Sequence, residues 1–181
     1  MKKRRDRLLS FLEHSMKVGR STLTWQCRAV VLALSTIASI PVAKADVLTG
    51  HPSIISADTL GLGGQEIRLL GIDAPEIGQS CWDAAGQPWP CGQRAALALS
   101  TKVGDAIVEC RGIRRDRSAR LIAVCRAGDT NLNAWLVAEG WALAYRSQSL
   151  AYVQAEEAAR EQAKGLWVGA FEPPWVWRTK N

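Results

Sequence analysis

Beyond residue 45, apolar positions first come in short runs of strand length. Ile54-Ile55 opens the series within the short, mixed stretch 46–56, and Asp58-Thr59-Leu60-Gly61-Leu62 alternates as a strand does. Gly63-Gly64-Gln65 reads as a hairpin turn into Ile67-Arg68-Leu69-Leu70. That strand runs through Gly71 and Ile72 to Asp73-Ala74-Pro75-Glu76, a tight turn in which Pro75 fixes its own φ and drives Ala74 toward extended geometry. Residues 77–91 read as a loop, with Gly78, Gly86, Pro88, Pro90, Trp82 and Trp89. Residues 92–103 predict a helix, because Gln93–Leu99 is rich in strong helix formers, and Gly104 ends it. Two further strands, Ile107–Cys110 and Leu121–Cys125, flank the basic loop 111–120. Asn131 or Asn133 caps the next helix, where Leu132, Trp135, Leu136 and Glu139 follow helical spacing and Gly140 stands at C′. Trp141–Tyr145 reads as extended or irregular chain, and Ser149 opens a last helix running to Lys164-Gly165. Pro173 and Pro174 argue against a helix across the tail Phe171–Arg178, whose tryptophans are expected to pack back on the domain. A strand-rich first half followed by helices implies an α+β fold, a small β-barrel with a helical flank, and no internal repeat, linker or second domain is apparent.

The charges on the strand and turn from Ile67 to Glu76 change this picture. Arg68, Asp73 and Glu76 fall within nine residues that are otherwise almost wholly apolar. Charge on a buried strand is costly unless it is paired or used, so the segment is either a structural ion pair or a reactive site. Asp58 precedes Arg68 by ten residues, and a tight hairpin of that length brings Asp58 near Asp73. Two carboxylates then converge at one rim. The loop tryptophans Trp82 and Trp89 have the faces to stack bases, but in such a loop their expected role is to cover the domain's own core.

Composition adds a packed core, at 48% hydrophobic residues, and an overall charge of +6. That charge does not point to nucleic acid. Nine of the 23 Lys and Arg and two of the 17 Asp and Glu lie in residues 1–45, so 46–181 carries fourteen basic and fifteen acidic groups, net −1. Nucleic-acid binding by that part must use a local patch, and 111–120 is its densest basic stretch. Residues 1–45 read as a secretory signal: a basic start, an uncharged apolar run from Ala29 to Ala43, and the small-x-small site Ala43-Lys44-Ala45. The run is short against the ~20 residues of a spanning helix. Cleavage is therefore expected before Asp46, with Met1 or Met16 as the start, no stable membrane anchor afterwards, and a periplasmic or secreted domain 46–181. Cys27 precedes the apolar run and is not placed for a lipid anchor.

Four cysteines remain, Cys81, Cys91, Cys110 and Cys125, an even number that in an exported domain reads as two disulfides with three possible connectivities. Cys110 and Cys125 occupy comparable positions on two strands and suit a cross-strand bridge; Cys81–Cys91 closes the Trp82–Pro90 loop. Zinc is the rival reading, but the spacings are not of the Cys-x-x-Cys type and His51 is the only histidine after the leader.

Arg68-Leu-Leu-Gly-Ile-Asp73-Ala74-Pro75-Glu76 resembles the signature of the thermonuclease (staphylococcal-nuclease-like) family, and Asp116-Arg117-Ser118-Ala119-Arg120 resembles that family's Asp-Arg-Tyr-Gly-Arg segment. The resemblance spans roughly Ile54 to Trp167 by eye. It implies a five-stranded OB-type β-barrel flanked by about three helices, and a Ca²⁺-dependent endonuclease acting on DNA, RNA or both, expected as a monomer. It implies Asp58, Asp73 and the main-chain carbonyl of Ala74 as Ca²⁺ ligands, Glu76 as general base, and Arg68 and Arg120 as clamps on the phosphate. Tyr145 roughly matches a nucleotide-contacting tyrosine of the family, one residue out of step with the preceding glycine.

The chain departs from the pattern at two places. Ser56-Ala57-Asp58 stands where the family reads Asp-Gly-Asp, which removes an acidic group near the ion, and Ser118-Ala119 stands where it reads Tyr-Gly. The alternative these departures favour is a catalytically weak or inactive OB-fold module that binds nucleic acid or protein in the cell envelope. A disulfide-stiffened envelope scaffold is a third reading.

Overall fold

The computed structural model describes residues 46–180, so the expected leader, its cleavage site after Ala45 and Cys27 lie outside the described residues. The strands are β1 (Val47–Gly50), β2 (Ser53–Ser56), β3 (Thr59–Leu62), β4 (Gln65–Leu69), β5 (Ile72–Asp73), β6 (Cys81–Trp82), β7 (Pro88–Trp89), β8 (Val108–Arg115), β9 (Leu121–Ala127), β10 (Thr130–Asn131) and β11 (Leu143–Ala144). The helices are α1 (Cys91–Val103), α2 (Leu132–Ala138), α3 (Val153–Glu161) and α4 (Pro174–Trp177), with a 3₁₀ turn at Gly165–Val168.

The fold is α+β, as expected. Its main sheet runs β1-β8-β9-β4-β3-β2, with β10 added on β9. Two antiparallel units, β2-β3-β4 and β8-β9, meet through one parallel pair, β4 with β9. Register shifts between Ile54 and Ser56, and between Gly112 and Arg114, bend the strands and curl the sheet. Inside the curl, Leu60, Ile67, Leu69, Leu121 and Ala123 pack on Leu99 of α1 and on Leu132 and Leu136 of α2. This sheet has seven strands where five were expected: β1, in the mixed stretch 46–56, and the two-residue β10 are the additions.

Gly63 and Gly64, both at positive φ, make the predicted hairpin turn and set Thr59 opposite Arg68. Gly71 turns the chain from β4 into β5 at φ +73°, where a Cβ would come within 2.8 Å of Ser149. β5 is then held by β11, with Asp73 opposite Leu143.

Both disulfides form as paired above, Cys81–Cys91 and Cys110–Cys125. The first is the centre of a second apolar cluster with Leu143 and Leu166, against which Trp89, Trp167, Phe171 and Trp175 pack. Asn131 is the cap of α2 and accepts from the Ala134 amide; Asn133 is buried instead, accepting from Cys125 N and donating to the carbonyls of Leu70 and Ala123.

Three expectations need correcting. Ser149 does not open α3, which begins at Val153; the Ser149 hydroxyl accepts from the Ala151 amide and holds a turn that competes with helix. The tail is helical at α4, because its two prolines stand at the N-cap and the first helical position, where a missing amide costs nothing. Trp82 does not cover the core and is 44% exposed, whereas Trp89 is packed edge-on to Trp141.

The Cys110–Cys125 bridge closes a separation of 15 residues. Replacing both cysteines by alanine should lower the free energy of unfolding by about 3 kcal/mol in the chain-entropy model. Urea unfolding of the oxidised protein against the double variant measures this, and equal midpoints would refute it.

Candidate functional site

The β3–β4 register delivers the first part of the site. The Leu69 amide donates to the Asp58 carbonyl, which fixes Asp58 at the hairpin's open end beside the turn that follows β5. Asp58 is 3% exposed and each oxygen is used. Oδ2 accepts from the Ala74 amide at 2.9 Å and lies 3.1 Å from Arg68 Nη2; Oδ1 accepts from the hydroxyls of Ser56 and Thr59, each at 3.0 Å. Asp73 is 1% exposed, and its Oδ1 accepts from Arg68. The two carboxylates therefore converge as the hairpin arithmetic requires, with Arg68 between them.

The second part comes from the far end of the chain. Arg178, just past α4, donates from Nη2 to Asp73 Oδ2 at 2.7 Å and from Nη1 to Asp73 Oδ1 at 3.1 Å. The same Nη1 donates to Glu76 Oε1 at 2.7 Å. Burial pushes the Asp73 carboxyl above its ordinary pKa, and the nearby Asp58 charge adds to this against the pull of Arg178 and Arg68. Burial works against the charge on Arg178, but its hydrogen bonds to Asp73 and Glu76 outweigh that and hold its pKa above the ordinary value.

Glu76 sits on a turn braced from two sides. Gln79, fully buried, accepts from the Glu76 amide and donates to the Glu172 carbonyl, tying this turn to the C-terminal arm. Gly92, at the start of α1, packs so closely that a Cβ there would lie 1.7 Å from the Glu76 carbonyl oxygen.

Arg120 stands immediately before β9, where Leu121 pairs with Ile67 in parallel, so Arg120 enters the strand that neighbours the one carrying Arg68. The Arg120 Nε donates to Asp116 Oδ2 at 2.8 Å, and Asp116 Oδ1 accepts from the amides of Ser118 and Arg120. Asp116 thus shapes the loop and orients the guanidinium. Burial opposes ionisation of Asp116, but these bonds prevail and lower its pKa. Tyr145, whose amide donates to Gly71 and whose ring lies 5.9 Å from that of Trp175, completes the list.

Arg68, Glu76, Arg120, Tyr145 and Arg178 line one cleft of about 730 Å³, together with Gln148 and Trp177. The cleft presents guanidinium groups above a buried acidic floor. Ala74 is buried, and its N–H donates to Asp58 Oδ2, which ties the Asp73–Ala74 peptide to Asp58. Of the residues expected from sequence, Arg68, Glu76, Arg120 and Tyr145 line the cleft, and Asp58, Asp73 and Ala74 adjoin it through their bonds to Arg68 and to one another. Arg178 and Gln79 were missed: Arg178 lies 105 residues from its main partner, and no local pattern marks either residue.

The donors at the floor are hard oxygens, the chemistry that suits Ca²⁺. Among the described residues, no group of three or more His, Cys, Asp and Glu is arranged to hold a metal ion. Both Asp73 oxygens and one Glu76 oxygen accept from guanidinium groups. The donor set is thus of the hard-oxygen kind that a divalent cation takes, and in this structure guanidinium groups occupy it.

Comparison with known proteins bears on this geometry. Residues 66–169 match the family model described as staphylococcal nuclease homologue. The chain is 31% identical over 157 residues to the succinoglycan biosynthesis protein ExoI of Rhizobium meliloti (strain 1021), covering 85% of this chain and 81% of that protein. It is 32% identical over 169 residues to a micrococcal nuclease of Shigella flexneri, covering 83% and 91%. It is 33% identical over 127 residues to an uncharacterized endonuclease of Haemophilus influenzae, covering 68% and 65%.

The contact between Gly92 and the Glu76 turn can be tested alone. Gly92→Ala forces backbone apart in a packed region and should cost about 1–3 kcal/mol of stability. Chemical unfolding measures it; a variant as stable as wild type would show that the turn is not braced by α1.

Proposed function

The chain belongs to the staphylococcal nuclease homologue family, and on that premise we propose that it is a Ca²⁺-dependent endonuclease acting outside the cytoplasm on DNA, RNA or both. Membership makes it a phosphodiester-hydrolysing endonuclease. The observation that carries the finer reading is the single cleft shared by Arg68, Glu76 and Arg120 over the Asp58–Asp73 floor.

A phosphodiester resists hydrolysis because its negative charge repels a nucleophile, so the site must cancel charge, hold the phosphate and activate water. Asp58, Asp73 and the Ala74 carbonyl would hold Ca²⁺, which would supply positive charge against the phosphate. Glu76 takes the proton of the attacking water. Arg68 and Arg120 donate to the non-bridging oxygens, and the planar guanidinium fork matches that geometry better than an ammonium does. Tyr145 contacts the nucleotide from the cleft wall. The basic stretch around Arg120 offers the local positive patch that a domain of net charge −1 otherwise lacks.

Two disulfides favour an oxidising compartment. Together with the basic and apolar segments of residues 1–45, they support export and cleavage after Ala45. Among the described residues, no helix is long and apolar enough to cross a membrane.

Digestion of circular single-stranded DNA by the purified protein, with Ca²⁺ or with a chelator, tests the activity. Cleavage should require Ca²⁺. Glu76→Gln should lower turnover by about 10²-fold or more while leaving Ca²⁺ affinity nearly intact. Arg120→Lys should also fall short of the wild-type rate, because one ammonium cannot reproduce the fork. Wild-type rates in both variants would remove these roles. For export, N-terminal sequencing of the processed protein should begin at Asp46; retention of residues 29–45 would refute cleavage.

A further inference from the structure

We propose that Arg178 is an exchangeable internal cation: it occupies the carboxylates of Asp73 and Glu76 in the metal-free site and must leave them when a divalent cation binds. This makes the C-terminal arm, residues 171–180, a gate on the metal site, and it rests on the Ca²⁺ reading above.

Asp58, Asp73 and Glu76 carry three negative charges when ionised, and Arg68 and Arg178 return two positive ones, leaving a site of net −1. With Arg178 withdrawn the site stands at −2, which one divalent cation neutralises. With Arg178 in place, the same ion meets a fixed guanidinium on the oxygens it needs, since both Asp73 oxygens accept from Arg178. Like charges sharing one carboxylate repel, and they do so more strongly in a buried site than in water.

Geometry distinguishes the two arginines. Arg68 is carried on a central strand, bridges Asp58 and Asp73, and is 17% exposed. Arg178 is 35% exposed at the mouth of the cleft, on the end of a helix of four residues. The base of the arm is fixed: Pro174 is buried, Trp175 packs in the disulfide cluster, and Gln79 holds the Glu172 carbonyl. Beyond Arg178, among the described residues, the contacts stay within the arm: the Thr179 amide and hydroxyl donate to the Val176 carbonyl, the Lys180 amide donates to the Trp177 carbonyl, and Lys180 pairs with Glu172. Arg178 thus stands between the fixed base of the arm and an end whose contacts do not reach the carboxylates of Asp73 and Glu76. A guanidinium freed from Asp73 remains in the cleft, where an arriving phosphate offers it new acceptors.

Calorimetric titration of Ca²⁺ into wild type and Arg178→Ala tests the exchange without reference to activity. The variant should bind Ca²⁺ about tenfold more tightly, a coupling within the usual range. Arg178→Lys keeps one charge without the fork and should fall between the two; it carries the test if Arg178→Ala unfolds. Lys180→Ala, on the same arm but paired outside the site, should bind as wild type does. In wild type, Ca²⁺ should also speed trypsin cleavage after Arg178, because the side chain is no longer held on Asp73. Equal or weaker Ca²⁺ binding by Arg178→Ala overturns the exchange and leaves the Ca²⁺ reading standing. If neither wild type nor Arg178→Ala binds Ca²⁺, the Ca²⁺ reading fails and the exchange falls with it.

Discussion

Asp73 accepts hydrogen bonds from two arginines that arrive from opposite ends of the chain, Arg68 on β4 and Arg178 beyond α4. A carboxylate 1% exposed is tolerable only because both guanidiniums and the ordered chain around it compensate its burial. The Asp73 requirement orders much else. The β3–β4 hairpin must end in register, so that Asp58 receives the Ala74 amide and Arg68 lies between the two acids. β11 must pair with β5 to hold Asp73 in place. The tail must fold back far enough to bring Arg178 to the cleft, and the Cys81–Cys91 cluster is what it packs on.

The same constraint explains why one departure from the family pattern is milder than it reads. Ser56, standing where an acid is usual, lowers the negative charge near the floor. Its hydroxyl donates to Asp58 Oδ1 alongside Thr59, so the position still serves that carboxylate. Ala119 adopts φ +62° in place of a glycine, a left-handed conformation strained for alanine, and Asp116 holds the loop by accepting from the Ser118 and Arg120 amides. The second motif is thereby kept in shape with different side chains. What the tyrosine supplied in the family's pattern has no counterpart at Ser118; the aromatic faces in this cleft are Tyr145 and Trp177.

The convergence of Asp58, Arg68 and Asp73 was legible because it depends on local arithmetic: a two-glycine turn, alternating strands and a proline turn lie within twenty residues. The cysteine pairs were legible for a similar reason, since one closes a loop and the other joins strands of one hairpin. The parallel pairing of β4 with β9 was not legible, because nothing local marks a contact between strands more than fifty residues apart in sequence. Arg178 was hidden twice, by its distance from Asp73 and by two prolines that read as helix breakers but stand where a helix begins. Gln79 was hidden because its importance comes entirely from burial between two segments that meet only in the folded chain.

On the proposed reading, the Asp73 carboxylate is where the cation and the catalytic groups meet. Its most direct test is the Ca²⁺ dependence of DNA cleavage by Asp73→Asn, which keeps the side chain's size and removes its charge. Little cleavage is expected at Ca²⁺ concentrations that saturate wild type, and partial recovery as Ca²⁺ is raised, because a neutral amide oxygen is a weaker ligand for a hard cation. A variant that follows the wild-type Ca²⁺ curve throughout would contradict it.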